Sequence, residues 1–150
     1  MERLQSPGPC TSCGFPLRRK KCVQASILDV TGWRSVNHVI LRCRNAACDR
    51  REWQVGHNFY VPKRQRTMMV EWTGAQPMQF WFTSAQLGFT TAYLRQLSRR
   101  VALQHVSFES ESRVHLLEAM AQGNADVVPA NSKAKIFRGW ILWRLVACLD

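Results

Sequence analysis

The chain has few acidic residues and no long apolar run, and both features limit the classes of protein to which it can belong. Its 150 residues include 10 Asp and Glu against 21 Lys and Arg, a formal net charge of +11. The first residues contain no apolar stretch, so we predict no secretory signal. The longest apolar stretch, from Ile136 to Leu149, carries Arg138 and Arg144 and is too short to span a bilayer. These features predict an intracellular protein that does not enter a membrane.

Motifs of catalysis are also missing from the sequence. It has no Gly-rich phosphate loop and no serine nucleophile elbow, and its carboxylates form no pair typical of two-metal chemistry. Cys10 or Cys43 with a histidine would supply a nucleophile and a base, but each lies close to a second cysteine, which favours a shared metal. We therefore predict a binding module and not an enzyme.

Two close cysteine pairs are the most specific signal in the chain. Two residues separate Cys10 from Cys13, and four separate Cys43 from Cys48. Such spacings bend the backbone so that both thiolates of a pair reach one ion, and four thiolates complete the shell of a structural zinc site. In the absence of a secretory signal, metal binding is favoured over disulfides. The sequence therefore predicts zinc bound by all four cysteines.

The remaining cysteines and two histidines leave alternatives for the ligand set. His38 or His57 could replace one cysteine, because imidazole is also a zinc ligand. Cys22 falls within a predicted strand and Cys148 in an apolar helix, so both are interpreted as small packed side chains.

Hydrophobic periodicity predicts an α+β fold in two units. Residues 1–9 are interpreted as a flexible leader, and residues 10–62 as a zinc-ribbon-like antiparallel sheet. A basic connector at 63–66 leads to residues 67–150, which are predicted to form a short strand pair and a three-helix segment. Strands are expected at 20–30, 36–42, 52–55, 68–72 and 78–82, with a turn at 31–35 and an extension of the third strand toward 58–62. The abrupt end at Asp150 is compatible with a fragment of a longer chain.

The three helices are predicted from apolar spacing and capping residues. In the first, apolar residues recur every four positions after a cap at Thr90 or Thr91. Ser107 is expected to cap the second helix, which Gly123 ends, and Ser132 to cap the third, which runs to Cys148. The apolar residues used for the first two helices are Phe89, Tyr93, Leu97 and Val101, then Val114, Leu117 and Met120.

Positive charge is concentrated in the first half of the chain. Residues 1–66 contain 13 Lys and Arg and 4 Asp and Glu, a net charge of +9, whereas residues 67–150 contain 8 and 6, a net of +2. A zinc ion with four thiolates contributes 2 − 4 = −2, which leaves the first half near +7. This excess favours nucleic acid as a partner. The residues predicted to face phosphate are Arg18, Arg19, Lys20, Lys21, Arg50, Arg51, Lys63, Arg64 and Arg66.

A different interpretation of the same charge is that it only neutralises the metal site. The chain would then be a zinc-stabilised protein-interaction module, with the helical segment as the surface for a protein partner.

Four features of the sequence carry a resemblance to a known family. They are the Cys10–Cys13–Gly14 knuckle, the hairpin that leads to Cys43 and Cys48, the aromatic segment 58–61 and the start of a helix at 106–109. With these features, about residues 8–122 resemble the cysteine-cluster domains associated with KDZ (Kyakuja-Dileera-Zisupton) transposases. The resemblance implies zinc ligation by the four cysteines, DNA as the nucleic acid and a nuclear location. The RNase H-like catalytic domain of such transposases has no counterpart here, so transposition by this chain is not implied.

Overall fold

The computed structural model describes residues 2–3, 9–10, 13–48, 50–54, 59–62, 69–70, 80–84 and 86–147. Within these residues the fold is α+β, as predicted, and consists of a mixed sheet followed by three helices. The strands are β1 (Glu2–Arg3), β2 (Leu17–Asp29), β3 (Gly32–Cys43), β4 (Arg50–Gln54), β5 (Phe59–Pro62), β6 (Met69–Val70), β7 (Phe80–Ser84) and β8 (Leu87–Thr90). The helices are α1 (Thr91–Gln104), α2 (Phe108–Ala121) and α3 (Ser132–Ala147), with a short 3₁₀ helix at Ala125–Val127.

A long antiparallel hairpin of β2 and β3 organises the N-terminal half. Asp29 pairs with Gly32 at its turn and Leu17 with Cys43 at its open end. The turn is shorter than the predicted 31–35, because Gly32 adopts a φ of 109° that lets β3 begin at once. The longer strands place Cys43 beside the start of β2.

The sheet has the order β6-β5-β4-β3-β2-β8-β7, and β1 pairs in parallel with β3 beyond β4. Part of the predicted leader is therefore a short strand. β2 also pairs in parallel with β8 at residues 26–28, so strands from both sides of the predicted connector belong to one sheet. The connector itself, residues 63–66, lies outside the described residues. The two strands predicted around 68–82 correspond to β6 and β7. In the described sheet, β6 pairs with β5 and β7 pairs with β8, so these two strands are not neighbours.

The first helix begins where the sequence predicts, with one difference. The Thr90 side chain accepts a hydrogen bond from the Tyr93 N–H at 3.2 Å and is the N-cap. Phe89, which was assigned to the helix by its spacing, is the last residue but one of β8. Phe89, Tyr93 and Leu97 are nevertheless all fully buried. The four-residue spacing thus identified residues of one core across a strand-to-helix junction.

The second helix starts as predicted but buries another face. The Ser107 hydroxyl caps it by accepting from the Ser110 N–H at 3.1 Å. Its buried residues are Glu111, His115 and Ala119. The apolar residues that indicated this helix are more than half exposed: Val114, Leu117 and Met120. The third helix has Ser132 as its first residue and not as the predicted cap, since the Lys135 N–H donates to the carbonyl of Asn131, the residue before it. Cys148 lies outside the described residues. No helix among residues 91–147 is long and apolar enough to cross a membrane.

The main core lies where α1 and α3 cover β2, β7 and β8. It consists of Leu28, Trp33, Trp81, Leu87, Phe89, Tyr93, Leu94, Leu97, Ile136 and Trp143. A second, much smaller cluster forms at the open end of the hairpin from Cys10, Leu41, Cys43 and Cys48, with Cys13 and Leu17 packed against it.

Gly139 is a point of close approach between α3 and the main core, and its replacement is expected to destabilise the fold. A β-carbon at Gly139 would lie 2.3 Å from Cε2 of Phe89, a fully buried ring. Overpacking of this kind costs about 1–3 kcal/mol. We expect Gly139→Ala to lower the melting temperature by several degrees in a calorimetric scan, while Arg138→Ala at the exposed neighbour leaves it nearly unchanged. Equal melting temperatures for both variants would contradict this close packing.

Candidate metal centre

The hairpin brings the two cysteine pairs to the same end of the sheet. Because Leu17 pairs with Cys43, the chain that enters β2 lies beside the chain that leaves β3. Cys10 and Cys13 precede β2, and Cys48 follows β3. The 29 residues between the pairs are consumed by the two strands and their turn, as the sequence analysis expected.

The first pair sits on a tight loop. The N–H of Gly14 donates to the carbonyl of Cys10 at 2.8 Å, and the N–H of Cys10 donates to the carbonyl of Phe15 at 3.0 Å. Gly14 has a φ of 74°, in the left-handed region that glycine enters without steric cost. These two bonds close the loop so that both thiols face the end of the hairpin.

The second pair uses its longer spacing for a turn. The N–H of Cys48 donates to the carbonyl of Asn45 at 3.1 Å, and the Asn45 side-chain oxygen accepts from the Ala47 N–H at 3.0 Å. An asparagine that binds its own backbone two residues later is typical of tight turns. The turn takes up the two additional residues and returns the chain to Cys43.

The four thiols have the separations that a tetrahedral metal requires. The sulfur atoms of Cys10 and Cys48 are 3.9 Å apart, those of Cys13 and Cys43 are 3.4 Å apart, and all four lie within 4.8 Å of one another. A zinc ion with Zn–S bonds of about 2.3 Å places its sulfurs about 3.8 Å apart. The same distances exceed by far the roughly 2.05 Å of a disulfide bond. The cluster is therefore a set of free thiols that can hold a metal ion.

The thiols differ in their readiness to ionise. A hydrogen bond from the Phe15 backbone lowers the pKa of Cys13 to about 7, whereas burial raises the pKa of Cys43 to about 12. Cys10, Cys43 and Cys48 are all buried and Cys13 is half-buried. Since metals bind thiolates, binding must release a proton from Cys43, and the affinity for metal falls as the pH falls.

Three arginines surround a cavity of about 530 Å³ beside the thiols. Arg18 and Arg44 are exposed and Arg42 is half-buried, and all three line this cavity with Cys43 and Cys48. Arg18 and Arg42 are direct cross-strand partners. Like charges in this arrangement destabilise a sheet. The guanidinium groups therefore favour anionic neighbours, either the metal-bound thiolates or a ligand in the cavity.

Arg42 and Arg44 are not among the residues that the sequence predicted to face phosphate. Their positions on either side of Cys43 were the available signal, because neighbours of a metal ligand lie close to the site. The Nε–H of Arg42 is buried and has no acceptor among the described residues.

The other predicted residues are only partly within the described structure. Arg19, Lys20 and Lys21 are exposed on β2. Arg50 and Arg51 lie in β4, and their side chains are outside the described part of the chain, as are Lys63, Arg64, Arg66 and His57. His38 lies in β3 opposite Val23, five residues before Cys43. At about 3.3 Å per residue this places its backbone far from the cluster.

The interpretation of Cys22 as a packed side chain is wrong. It is exposed on β2, and its sulfur accepts a hydrogen bond from the Arg19 guanidinium at 2.9 Å. The ladder with β3 is regular from Lys21 to Asp29, so Cys22 lies on the opposite face of β2 from the less exposed Val23 and Ala25.

A polar cluster in the helical region escaped the sequence analysis. The Glu111 carboxylate is buried and accepts hydrogen bonds from the Tyr93 hydroxyl at 2.9 Å, from His115 at 3.0 Å and from Arg100. The spacing of Glu111 and His115 by four residues on one helix was a signal for a contact between them. Their burial depends on α1 and was not visible in the sequence.

Comparison with protein-family models, with curated proteins and with solved structures found no match to this chain. The resemblance to transposase-associated cysteine-cluster domains stays a prediction.

Proposed function

We propose that this chain is a non-catalytic zinc-binding module that contacts DNA with the basic end of its long hairpin. The observation that carries the proposal is the cluster of four thiols next to an arginine-lined cavity. The metal would fix the end of the hairpin, and the hairpin would present cations to a polyanion.

Zinc is the metal that best suits the ligand set. Four cysteine sulfurs in a tetrahedron are typical of structural zinc, which has no geometric preference from its d electrons and tolerates the small asymmetry of the cluster. Because all four positions are occupied by cysteine, no position is left for water or substrate. The bound ion would therefore stabilise the fold and take no part in a reaction.

DNA is the partner proposed for the cations. Arg18, the exposed residues 19–21 and Arg42 lie on the two strands of one hairpin, and Arg44 directly follows it. Guanidinium groups bind phosphate oxygens through two parallel hydrogen bonds. Cations that only neutralise the metal site would not need this geometry. The resemblance to transposase-associated domains supports DNA over RNA and implies a nuclear location.

Binding to a 20-base-pair DNA duplex is expected to weaken steeply with salt, because each phosphate contact releases a counterion. The logarithm of the affinity should fall by about 0.9 per contact for each tenfold rise in salt. We expect the double variant Arg18→Glu and Arg44→Glu to bind at least tenfold more weakly and to show a shallower slope in fluorescence anisotropy titrations. Arg138→Glu, on the exposed surface of α3, is the control for a charge change outside the hairpin. This variant should bind DNA with the affinity of the wild type.

An affinity that does not change with salt would contradict the DNA proposal. An equal loss of DNA affinity in the hairpin variant and the α3 variant would also contradict it, because it would indicate only an effect of net charge.

A second candidate function rests on the exposed face of α2. Val114, Leu117 and Met120 form an apolar stripe on this helix, on the side away from the core. Contiguous apolar surface of this kind often marks a site for a protein partner. The two candidates differ in their response to salt, since an apolar contact survives high salt and the DNA contact does not.

A further inference from the structure

Among the described residues, the outer edge of β2 has no strand partner along its middle. β3 covers one side of β2 from Leu17 to Asp29, whereas β8 covers the other side only from Ser26 to Leu28. Among the described strands, none continues that second side toward Leu17. Such an edge is a template for an additional extended chain, and proteins usually shorten, cover or charge it.

One hydrogen bond fixes which main-chain groups face this edge. The N–H of Ser26 donates to the carbonyl of Gln86 on the β8 side, at 2.9 Å. Because main-chain groups alternate in direction along a strand, those of Gln24 and Cys22 point to the same side. There they have no strand partner in the described part of the sheet. Each residue therefore presents a donor and an acceptor to a chain that lies along the edge.

A groove of about 760 Å³ runs beside the same stretch of β2. Its walls come from β2, from the turn between β7 and β8 and from the loop after α2. Leu87, Val127 and Pro129 give the groove apolar surface, and Lys21 and Lys135 give it positive charge. Asp126 is the only carboxylate among the described residues that line it. The groove can thus receive both the backbone and alternate side chains of an added strand.

The charge on the edge distinguishes between occupants. Two copies of this chain joined edge to edge would bring together two strands rich in lysine and arginine, and like charges across a strand pair oppose pairing. An acidic chain would instead place carboxylates near Lys21 and Lys135. The same cations that prevent self-association therefore favour an acidic partner.

We propose that residues 21–25 of β2 bind an acidic peptide in extended conformation, which adds a strand to the sheet. The main-chain groups of Cys22 and Gln24 bind the peptide backbone, and alternate glutamate or aspartate side chains meet the lysines. Recognition by strand addition uses main-chain bonds for affinity and alternate side chains for selectivity. At roughly 3.3 Å per residue, about five peptide residues span the edge. The site lies away from the metal end of the hairpin, and Lys21 is the residue that it shares with the proposed DNA-binding surface.

The test uses the full chain in its metal-bound form and a fluorescent eight-residue peptide that alternates glutamate with valine. We expect saturable binding in anisotropy titrations, and slower amide hydrogen exchange at Cys22 and Gln24 when peptide is present. Gln24→Pro removes the outward N–H of this residue, a group that does not bond to β3. It should weaken binding at least tenfold, whereas Gln24→Ala, which keeps the backbone, should change it less than twofold.

Several results would overturn the proposal: no binding of the peptide up to millimolar concentration, unchanged binding by Gln24→Pro, or equal binding of a peptide that alternates lysine with valine. Protection of the same amides by a DNA duplex but not by the peptide would assign the edge to nucleic acid. Protection that appears only with rising protein concentration, together with a dimer in sedimentation, would assign it to a second copy. If Gln24→Pro does not fold, the exchange measurement on the wild type decides.

Discussion

Cys43→Ser is expected to abolish stoichiometric metal binding and to unfold the open end of the β2–β3 hairpin. Cys43 is 5% exposed and is the last residue of β3, and its sulfur atom lies 3.4 Å from the sulfur atom of Cys13. Serine supplies a much weaker ligand for a soft site, so the variant keeps three thiols of a four-thiol shell. Since metal binding contributes about 10–16 kcal/mol to the folding of small zinc domains, the local structure should not survive its loss.

The expected unfolding is local because the two hydrophobic clusters differ in size. Among the described residues, the cluster at the thiols contains Leu41 and Leu17 besides the cysteines. The main core, by contrast, includes large buried side chains such as Trp81, Phe89 and Tyr93 and is covered by helices. It has enough apolar burial to persist without metal. We therefore expect the helices to remain folded in the variant.

Three measurements on the same sample check this expectation. Native mass spectrometry should show one zinc ion on the wild type and none on Cys43→Ser. Circular dichroism should retain the helical signal, and amide exchange should become fast at residues 41–48. Cys22→Ser is the matched control, because Cys22 is exposed and outside the cluster. Metal loss in both variants, or in neither, would contradict the assignment of the ligands.

Glu111→Gln is expected to lower the free energy of unfolding by at least about 2 kcal/mol at pH 7. The Glu111 carboxylate on α2 is 6% exposed and joins the Tyr93 hydroxyl and the Arg100 guanidinium of α1 to His115. Loss of the charge leaves these buried donors with a weaker acceptor, and an unpaired buried donor is costly. The helix pair α1–α2 should then separate more easily.

The effect should depend on pH in a defined direction. Burial raises the pKa of Glu111, but hydrogen bonds from His115, Arg100 and Tyr93 outweigh burial and lower this pKa from 4.5 to about 2. A carboxyl with a lowered pKa stabilises the fold above its unfolded-state pKa, and the contribution disappears as the pH falls through the folded-state value. The difference between wild type and Glu111→Gln should be full above about pH 5 and shrink toward pH 2.

Chemical denaturation at several pH values measures this difference. Glu109→Gln on the same helix is the control, since Glu109 is exposed and contacts Arg113 and Lys133 only at the surface. Surface ion pairs contribute about 0–1 kcal/mol, so the control should change little. If Glu111→Gln lowers the free energy of unfolding by the same amount at every pH, the cause is a packing defect and not the carboxylate charge.

The features that the sequence predicted well depend on local chemistry. The spacing of Cys10 and Cys13, the turn residues around Cys48 and the caps at Thr90 and Ser107 each act within a few residues of the chain. Local rules of loop and helix geometry therefore identified the thiol cluster and the start of the helices. Even the β2–β3 hairpin follows from two strands joined by a short turn.

The features that it did not predict depend on contacts between distant segments. The parallel pairing of β2 with β8 joins residues about 60 positions apart and has no local signal. The buried face of α2 was also not predictable, because apolar spacing pointed to Val114 and Leu117. Glu111 is buried instead because Tyr93 and Arg100 of another helix provide its hydrogen bonds. Cys22 is exposed because it lies on the opposite face of β2 from Val23 and Ala25, and the sequence pattern did not show which face is covered at this point of the strand.

X-ray absorption at the zinc edge on the purified chain tests the central claim most directly, because it reports the ligands of the ion itself. We expect one zinc ion per chain with four sulfur neighbours at about 2.3 Å, since both cysteine pairs face one point. A folded protein without metal would contradict the account. A zinc ion with only two sulfur neighbours would contradict it equally, because the two pairs would then not share one ion.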